Sequence, residues 1–94
     1  KLKKFWLKHS QAKVSLQLWY KIADKSKWQS PSDVQRVFGN QVDIVENFTV
    51  FDIGGNKYRL ITYIDYAKNK IFIRHVLTHA EYDREQWKKD DWYR

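Results

Sequence analysis

Two runs of alternating side chains, separated by only four residues, constrain the fold of this chain most. In residues 57–66, one side of the run carries Tyr58, Leu60, Thr62, Ile64 and Tyr66, and the other carries Lys57, Arg59, Ile61, Tyr63 and Asp65. In residues 70–77, the apolar side is Ile71, Ile73, His75 and Leu77, opposite Lys70, Phe72, Arg74 and Val76. A period of two is typical of β-strands. The pattern therefore predicts an antiparallel hairpin whose first side faces the core.

The four-residue loop between the two runs sets the register of this hairpin. It pairs Asp65 with Lys70 and places Arg74 opposite Ile61, diagonal to Arg59. Diagonal neighbours lie about 7 to 8 Å apart. We therefore expect both arginines to project from one open face of the sheet, close enough to straddle a phosphate. The alternative is that they are ordinary solubilising charges.

The second run leads directly into a helix start. Thr78, with Glu81 three residues later, has the spacing of a capping box and predicts a short C-terminal helix. The free backbone N–H groups at the start of such a helix favour an anion. One stripe of the helix carries His79, Tyr82, Asp83 and Gln86. The alternative for Tyr82 is a core aromatic.

Helices precede the strands in the first half of the chain. One helical face carries Leu2, Phe5, Trp6 and His9, and Ser10 is predicted to cap a second helix with Ala12, Leu16, Trp19, Tyr20 and Ala23. Ser30-Pro31-Ser32-Asp33 starts a third helix, which Gly39 ends. Strands at 42–45 and 48–53 follow, and Gly54-Gly55-Asn56 turns the chain into the hairpin. This order predicts an α+β fold, with N-terminal helices packed on one face of a small antiparallel sheet.

Length and composition narrow the possible classes of protein. The chain has 94 residues and no cysteine. That length suits one domain spanning residues 1–94. The missing thiols exclude a disulfide framework and a zinc-thiolate site, and they suit a reducing cytoplasm. No apolar run approaches the length of a membrane span, so no membrane partner is predicted. No cofactor is predicted either.

The positive charge is concentrated at the N-terminus. Residues 1–28 hold eight lysines and one acidic residue, which accounts for the whole formal net charge of +7. Such a face attracts nucleic-acid phosphates or a strongly acidic protein, and the alternative is a solvated helix surface. If RNA is the partner, binding is expected to weaken steeply with salt.

Several motifs together resemble the HigB family of toxins from bacterial toxin-antitoxin systems. They are Phe51-Asp52-Ile53-Gly54-Gly55-Asn56-Lys57-Tyr58-Arg59-Leu60, Ile71-Phe72-Ile73-Arg74 and Thr78-His79-Ala80-Glu81-Tyr82-Asp83. Phe5-Trp6, Leu18-Trp19-Tyr20 and the segment 28–34 are similar to the same family. The similarity covers nearly all of the chain.

This resemblance implies a RelE-like fold and cleavage of messenger RNA, usually on the ribosome. It also implies neutralisation by a HigA-type helix-turn-helix antitoxin, with DNA contacted only through the antitoxin complex. Arg59 corresponds to the family's phosphate-binding strand arginine, and His79, Tyr82 and Asp83 lie in its terminal His-x-x-Tyr-Asp element. Relatives have a short strand before the position of Lys1, so the chain is expected to lack that strand. His75 stands where relatives have an apolar residue, which favours a packing role.

The chemistry of metal-free RNA cleavage assigns roles to these residues. The reaction needs a base for the 2′-OH, an acid for the leaving 5′ oxygen and cations on the developing phosphorane charge. Imidazole titrates nearest neutral pH, so His79 is preferred for proton transfer over Tyr82, which needs neighbouring cations to lower its pKa. Asp83 either orients His79 or pairs with Arg84 or Lys88. The predicted catalytic set is Arg59, His79 and Tyr82, and the predicted RNA-binding set is Asn56, Lys57, Arg74 and Asp83.

A metal site is not predicted, although His75 and His79 have the spacing of a helical zinc pair. His75 lies in a strand, where four residues span about 13 Å against about 6 Å for a helical turn.

A non-catalytic RNA- or ribosome-binding module remains the alternative function. For control, we expect an antitoxin to contact the lysine-rich N-terminal helices and to keep the protein off the ribosome.

Overall fold

The computed structural model describes residues 2–94, with the side chains of residues 4 and 6–94. Its helices are α1 (Leu2–Lys8), α2 (Lys13–Lys25), α3 (Pro31–Phe38) and α4 (His79–Asp83). Its strands are β1 (Val42–Val45), β2 (Phe48–Ile53), β3 (Tyr58–Asp65) and β4 (Lys70–Thr78). Short 3-10 turns lie at Ser10–Ala12, Gly39–Gln41, Gln86–Lys89 and Asp91–Tyr93. The predicted α+β order of helices, strands and a short C-terminal helix is confirmed.

The start of α2 differs from the prediction. Ser10 begins a 3-10 turn instead of capping the helix, because the N–H of Ala12 bonds the carbonyl of His9 at 2.9 Å and this tight turn precedes α2. The stripe that packs inward consists of Leu16, Trp19 and Ala23. Tyr20 lies one position off that stripe and is 55% exposed. The side chains of Leu2 and Phe5 lie outside the described residues.

The third helix begins and ends as predicted. Ser30 occupies the N-cap position and Pro31 the first turn. Asp33 accepts a hydrogen bond from the N–H of Gln29 at 2.9 Å, which satisfies one donor at the helix start. Gly39 ends the helix with φ of +59°, a conformation that glycine adopts without the steric cost of a side chain.

The four strands form one antiparallel sheet in the order β1-β2-β3-β4. Gly54 and Gly55 have positive φ in the turn between β2 and β3, and this turn pairs Asp52 with Arg59. In the next hairpin, the predicted pairing of Asp65 with Lys70 is confirmed. Turn length therefore fixed the register of both hairpins, as expected for tight antiparallel connections.

A β-bulge in β4 corrects the predicted position of Arg74. Thr62 pairs with Ile73 and Ile61 pairs with His75, which leaves Arg74 as the extra residue. The bulge lets both Arg74 and His75 reach the same carboxylate on one side of the strand. Beyond the bulge, the alternation of side chains between the two faces of the sheet reverses. Val76 therefore packs with the helical layer and Leu77 with the opposite layer, which is the reverse of the prediction.

Both faces of the sheet are covered by apolar packing. The helices pack on one face against Phe51, Leu60 and other core residues. On the other face Val50 and Ile61 pack under Trp87 and Tyr93 of residues 86–93, here called the C-terminal cover. The expectation of an open face was therefore wrong. The reason is that β2 and β3 carry large apolar side chains on both sides, and burying the second set is favourable.

Candidate active site

Arg59 lies at the end of the sheet beside the turn between β2 and β3. It is only 8% exposed, and its Nε lies 3.1 Å from a carboxylate oxygen of Asp52 on the neighbouring strand. Its terminal nitrogens donate to the side-chain oxygen of Asn56 and to the carbonyl of Tyr58. These contacts fix the direction of the guanidinium, because each donor of its rigid fork has a separate acceptor.

Tyr82 lies next to Arg59 and is half-buried. The Arg59 guanidinium carbon is 5.4 Å from the centre of its ring, and the ring stacks on Trp87 at 5.0 Å with planes 9° apart. Burial raises the pKa of the Tyr82 phenol and Asp43 adds to the rise, while Arg59 and Lys88 offset part of it. The cations thus do not lower the pKa below its ordinary value. The phenol keeps its proton at neutral pH and is suited to donate it.

His79 is the first residue of α4, and a backbone hydrogen bond holds it beside the same turn. Its N–H bonds the carbonyl of Lys57 at 2.9 Å, and Thr78 before it forms the predicted capping box with Glu81. Its Nδ1 is 3.0 Å from a carboxylate oxygen of Asp83, and both side chains are well exposed. Of the three partners considered for Asp83, the structure has His79, whose imidazole Asp83 orients. Nε2 is the ring nitrogen that lies away from this carboxylate.

Arg74 belongs to a second cluster, away from Arg59. Its Nε and Nη2 donate to the two oxygens of Asp90 at 2.9 and 2.8 Å. The Nε2 of His75 lies 2.8 Å from the same carboxylate, so His75 makes a polar contact as well as packing in the strand. The guanidinium of Arg74 also lies over the ring of Trp92 at 3.9 Å. Asp90 therefore joins the bulge of β4 to the C-terminal cover.

The structure brings most of the predicted residues to one place. Turn residues Asn56 and Lys57, strand residue Arg59 and helix residues His79, Tyr82 and Asp83 are linked by the contacts above. Arg74 is not linked to this group by the same contacts. Arg59 and Arg74 do face the same layer, since each contacts residues that follow β4.

Sequence reasoning missed Asp52, the carboxylate partner of Arg59. The signal was available, because the four residues Gly54-Gly55-Asn56-Lys57 between the strands place Asp52 opposite Arg59. It also missed Asp90, which no local pattern connects with β4. A cleft of about 310 Å³ beside Arg59 and Tyr82 is lined partly by Asp43 and Asp52. The carboxylates that line this cleft repel a phosphate.

Two further observations concern the whole described chain. Among the described residues, no group of three or more histidine, aspartate or glutamate side chains is arranged to hold a metal ion. Within residues 2–94, every helix is too short or too polar to cross a bilayer.

Comparison with known proteins shows which class of protein the chain resembles. Residues 12–85 match the family HigB_toxin, described as the RelE-like toxic component of a toxin-antitoxin system. The chain is 29% identical over 83 residues to the mRNA interferase HigB of Escherichia coli O6:H1, covering 82% of this chain and 77% of that protein. It is 30% identical over 78 residues to the mRNA interferase toxin HigB of Escherichia coli K12, covering 81% and 75%.

The chain therefore belongs to the HigB family of RelE-like toxins.

Proposed function

We propose that this protein is an endoribonuclease toxin that cleaves messenger RNA on the ribosome, without a metal ion, in the cytoplasm. The two Escherichia coli relatives described above are named mRNA interferases, and the family is described as the toxic component of a toxin-antitoxin system. The observation that carries the proposal is the juxtaposition of an anchored cation, Arg59, with a protonated phenol, Tyr82, beside the turn that precedes β3. His79, oriented by Asp83, starts the helix that holds this phenol.

In the proposed reaction, Nε2 of His79 removes the proton of the 2′-OH. The 2′ oxygen then attacks the adjacent phosphorus, and the bond from phosphorus to the 5′ oxygen breaks. Arg59 and Lys57 stabilise the negative charge that develops on the phosphorane, and Tyr82 gives its proton to the leaving oxygen. The products are a 2′,3′-cyclic phosphate and a 5′-hydroxyl.

Because Arg59 is buried and already bound to protein groups, RNA can bind it only if one of these contacts is broken. Its guanidinium is bound to Asp52 and Asn56, so a phosphate must replace one of these partners. Asn56 is exposed and lies in the turn with Gly54 and Gly55, whereas Asp52 is held in β2. We therefore assign the exchange to Asn56. The phosphate approaches from the side of Lys57 and α4, away from the acidic cleft.

The chemistry of the cut tests this proposal. The protein is first treated with EDTA and freed of the chelator by gel filtration, because ribosomes need Mg²⁺ to stay assembled. It is then expected to cut a messenger RNA on purified ribosomes as well as untreated protein does, leaving a 2′,3′-cyclic phosphate. A message with a single 2′-deoxy nucleotide at the cleaved position is the matched control. It is expected to resist cutting at that position only, because the nucleophile is missing. Loss of cutting after the EDTA treatment of the protein, or cutting at the deoxy nucleotide, would contradict the mechanism.

The antitoxin surface is proposed to lie on the helical layer. Exposed lysines of α1 and α2 alternate there with apolar side chains that stand out into solvent, notably Leu7, Val14 and Leu18, which are 76%, 75% and 59% exposed. A groove of about 280 Å³ lies between α2 and α3 and is lined by Leu18 and Val37, among other residues. An acidic, amphipathic segment of a HigA-type antitoxin fits this combination, and bound there it would block approach to the ribosome.

Charge reversal on α2 is expected to weaken binding of the cognate antitoxin. In the variant Lys13→Glu/Lys21→Glu, loss of charge complementarity is expected to slow association more than it speeds dissociation, as measured by surface plasmon resonance at two salt concentrations. Lys57→Glu is the matched control, because it removes a similar charge beside the candidate active site. An effect of the control variant alone would mean that the antitoxin plugs the active site directly.

A further inference from the structure

Three aromatic side chains cluster on the covered face of the sheet, near the β3–β4 hairpin loop. Tyr63 and Phe72 each lie 5.4 to 6.5 Å from their aromatic neighbours, and Trp92 of the C-terminal cover meets both nearly edge-on, at 73° and 81°. We call Tyr63, Phe72 and Trp92 the aromatic platform. Phe72 and Trp92 are each 39% exposed. Single exposed aromatics are common on protein surfaces, but a contiguous set of three with a cation is a binding feature.

The surroundings of the platform are polar and include two cations, Arg74 and Lys70, and the carboxylates of Asp65 and Asp90. The guanidinium of Arg74 lies over the ring of Trp92 at 3.9 Å, and Asp90 holds it there. Lys70 precedes Phe72 by two residues in β4, so both project from the same side of the strand. The carboxylate of Asp65 accepts a hydrogen bond from the N–H of Lys68 at 3.1 Å and so caps the loop.

We propose that the aromatic platform binds single-stranded RNA by base stacking, as a second contact for the message that is cut at Arg59. Aromatic rings flanked by cations are the usual means of holding unpaired bases, since every base has a π-face. The inference rests on the proposed function, because that function makes RNA the occupant instead of a protein. Packing of the cover explains why Trp92 contacts Tyr63, but it does not explain the exposure of Phe72.

The distance to the candidate active site suits a single short strand. Arg59 and Tyr63 are on the same side of β3, four residues apart, which corresponds to about 13 Å along a strand. Stacked bases are about 3.4 Å apart, so at least about four nucleotides are needed to reach from one contact to the other. Because Trp87 and Tyr93 cover Ile61 between the two contacts, the RNA passes over the C-terminal cover. The platform thus extends the proposed RNA-binding site, because it holds nucleotides of the message beyond the scissile phosphate.

Binding of an uncleavable oligonucleotide tests this inference. The probe is fluorescein-labelled 2′-O-methyl hexa-adenylate, compared with hexa-uridylate, and the readout is anisotropy with the full chain at low salt. Adenine is expected to bind more tightly than uracil because its larger ring stacks better. Phe72→Thr, which removes the ring but introduces a β-branched residue suited to a strand, is expected to weaken adenylate binding at least about fivefold. Tyr20→Ala, which removes an exposed aromatic from the helical layer, is the matched control and is expected to leave binding unchanged.

The outcomes separate this inference from the proposed function. Equal binding of both oligonucleotides, or no effect of Phe72→Thr, overturns the platform even if messages are still cut. Protection of Phe72 and Trp92 by the antitoxin, without any binding of the oligonucleotides, also overturns it and indicates a protein interface. Oligonucleotide binding that depends on Phe72 supports the platform whether or not cleavage is observed, because the probe cannot be cut.

Discussion

Replacing His79 by glutamine is expected to lower the rate of RNA cleavage by about 10² to 10⁴-fold, with binding of RNA and ribosomes retained. The His79 side chain is 43% exposed, so the substitution removes the proposed base without opening the core. Single-turnover cleavage on ribosomes measures the chemical step, and co-sedimentation with ribosomes measures binding. Asp83→Asn, which weakens only the orientation of the imidazole, is expected to give a smaller loss of rate.

His9→Gln is the matched control, because this histidine lies on the helical side with its ring 5.8 Å from that of Tyr58. It is expected to cut at the rate of the unmodified protein. Full cleavage by His79→Gln would exclude His79 as the base. If toxicity instead responds only to neutralisation of the N-terminal lysines, the protein is a binding module.

Replacing Asp90 by alanine is expected to lower the free energy of unfolding by about 3 kcal/mol. The Asp90 side chain is 5% exposed and accepts hydrogen bonds from Arg74 and from the N–H of Trp92, with His75 as a third partner. Its removal leaves two polar groups of β4 without their acceptor and frees the cover that buries Trp87. Urea denaturation measures the change. Asp91→Ala, at an exposed neighbouring position, is expected to stay within about 0.5 kcal/mol of the unmodified protein.

The contribution of Asp90 to stability is also expected to depend on pH. Arg74 holds the pKa of the Asp90 carboxyl well below its ordinary range, helped by the N–H of Trp92 and by His75. A carboxyl with a depressed folded-state pKa stabilises the fold fully above its unfolded pKa, about 3.9, and loses this contribution as the pH falls through its folded pKa. The difference in stability between the protein and Asp90→Ala should therefore narrow below about pH 4. A difference that stays constant down to pH 2 would contradict this assignment.

Local features of the sequence predicted most of the elements correctly. The capping box at Thr78 and Glu81, the stop at Gly39 and the turn at Gly54 depend on residues within a few positions of one another. The pairing of Asp65 with Lys70 follows from loop length alone. Contacts of this kind are determined before any tertiary packing, so a sequence pattern is sufficient to predict them.

The candidate site could be predicted in part for the same reason. Turn residues Asn56 and Lys57 and strand residue Arg59 are neighbours in sequence, and His79, Tyr82 and Asp83 share one helix. The family resemblance linked the two groups, and the backbone bond from His79 to Lys57 shows how the sheet joins them. The partner of Arg59 and the protonation of Tyr82 were not foreseen, because they depend on burial by other elements.

The sequence by itself determined the order of the helices and strands, the pairing next to the loops of the two hairpins and the concentration of positive charge at the N-terminus. Only the tertiary structure decided the bulge at Arg74, the coverage of the second sheet face and the raised pKa of the Tyr82 phenol. The physical reason is the large separation in sequence between the residues that interact. Asp90 lies fifteen and sixteen residues from the two β4 side chains that it binds, and a bulge shifts the alternation of every residue beyond it. Such contacts form only when distant segments of the chain pack together, so no periodic pattern in the sequence predicts them.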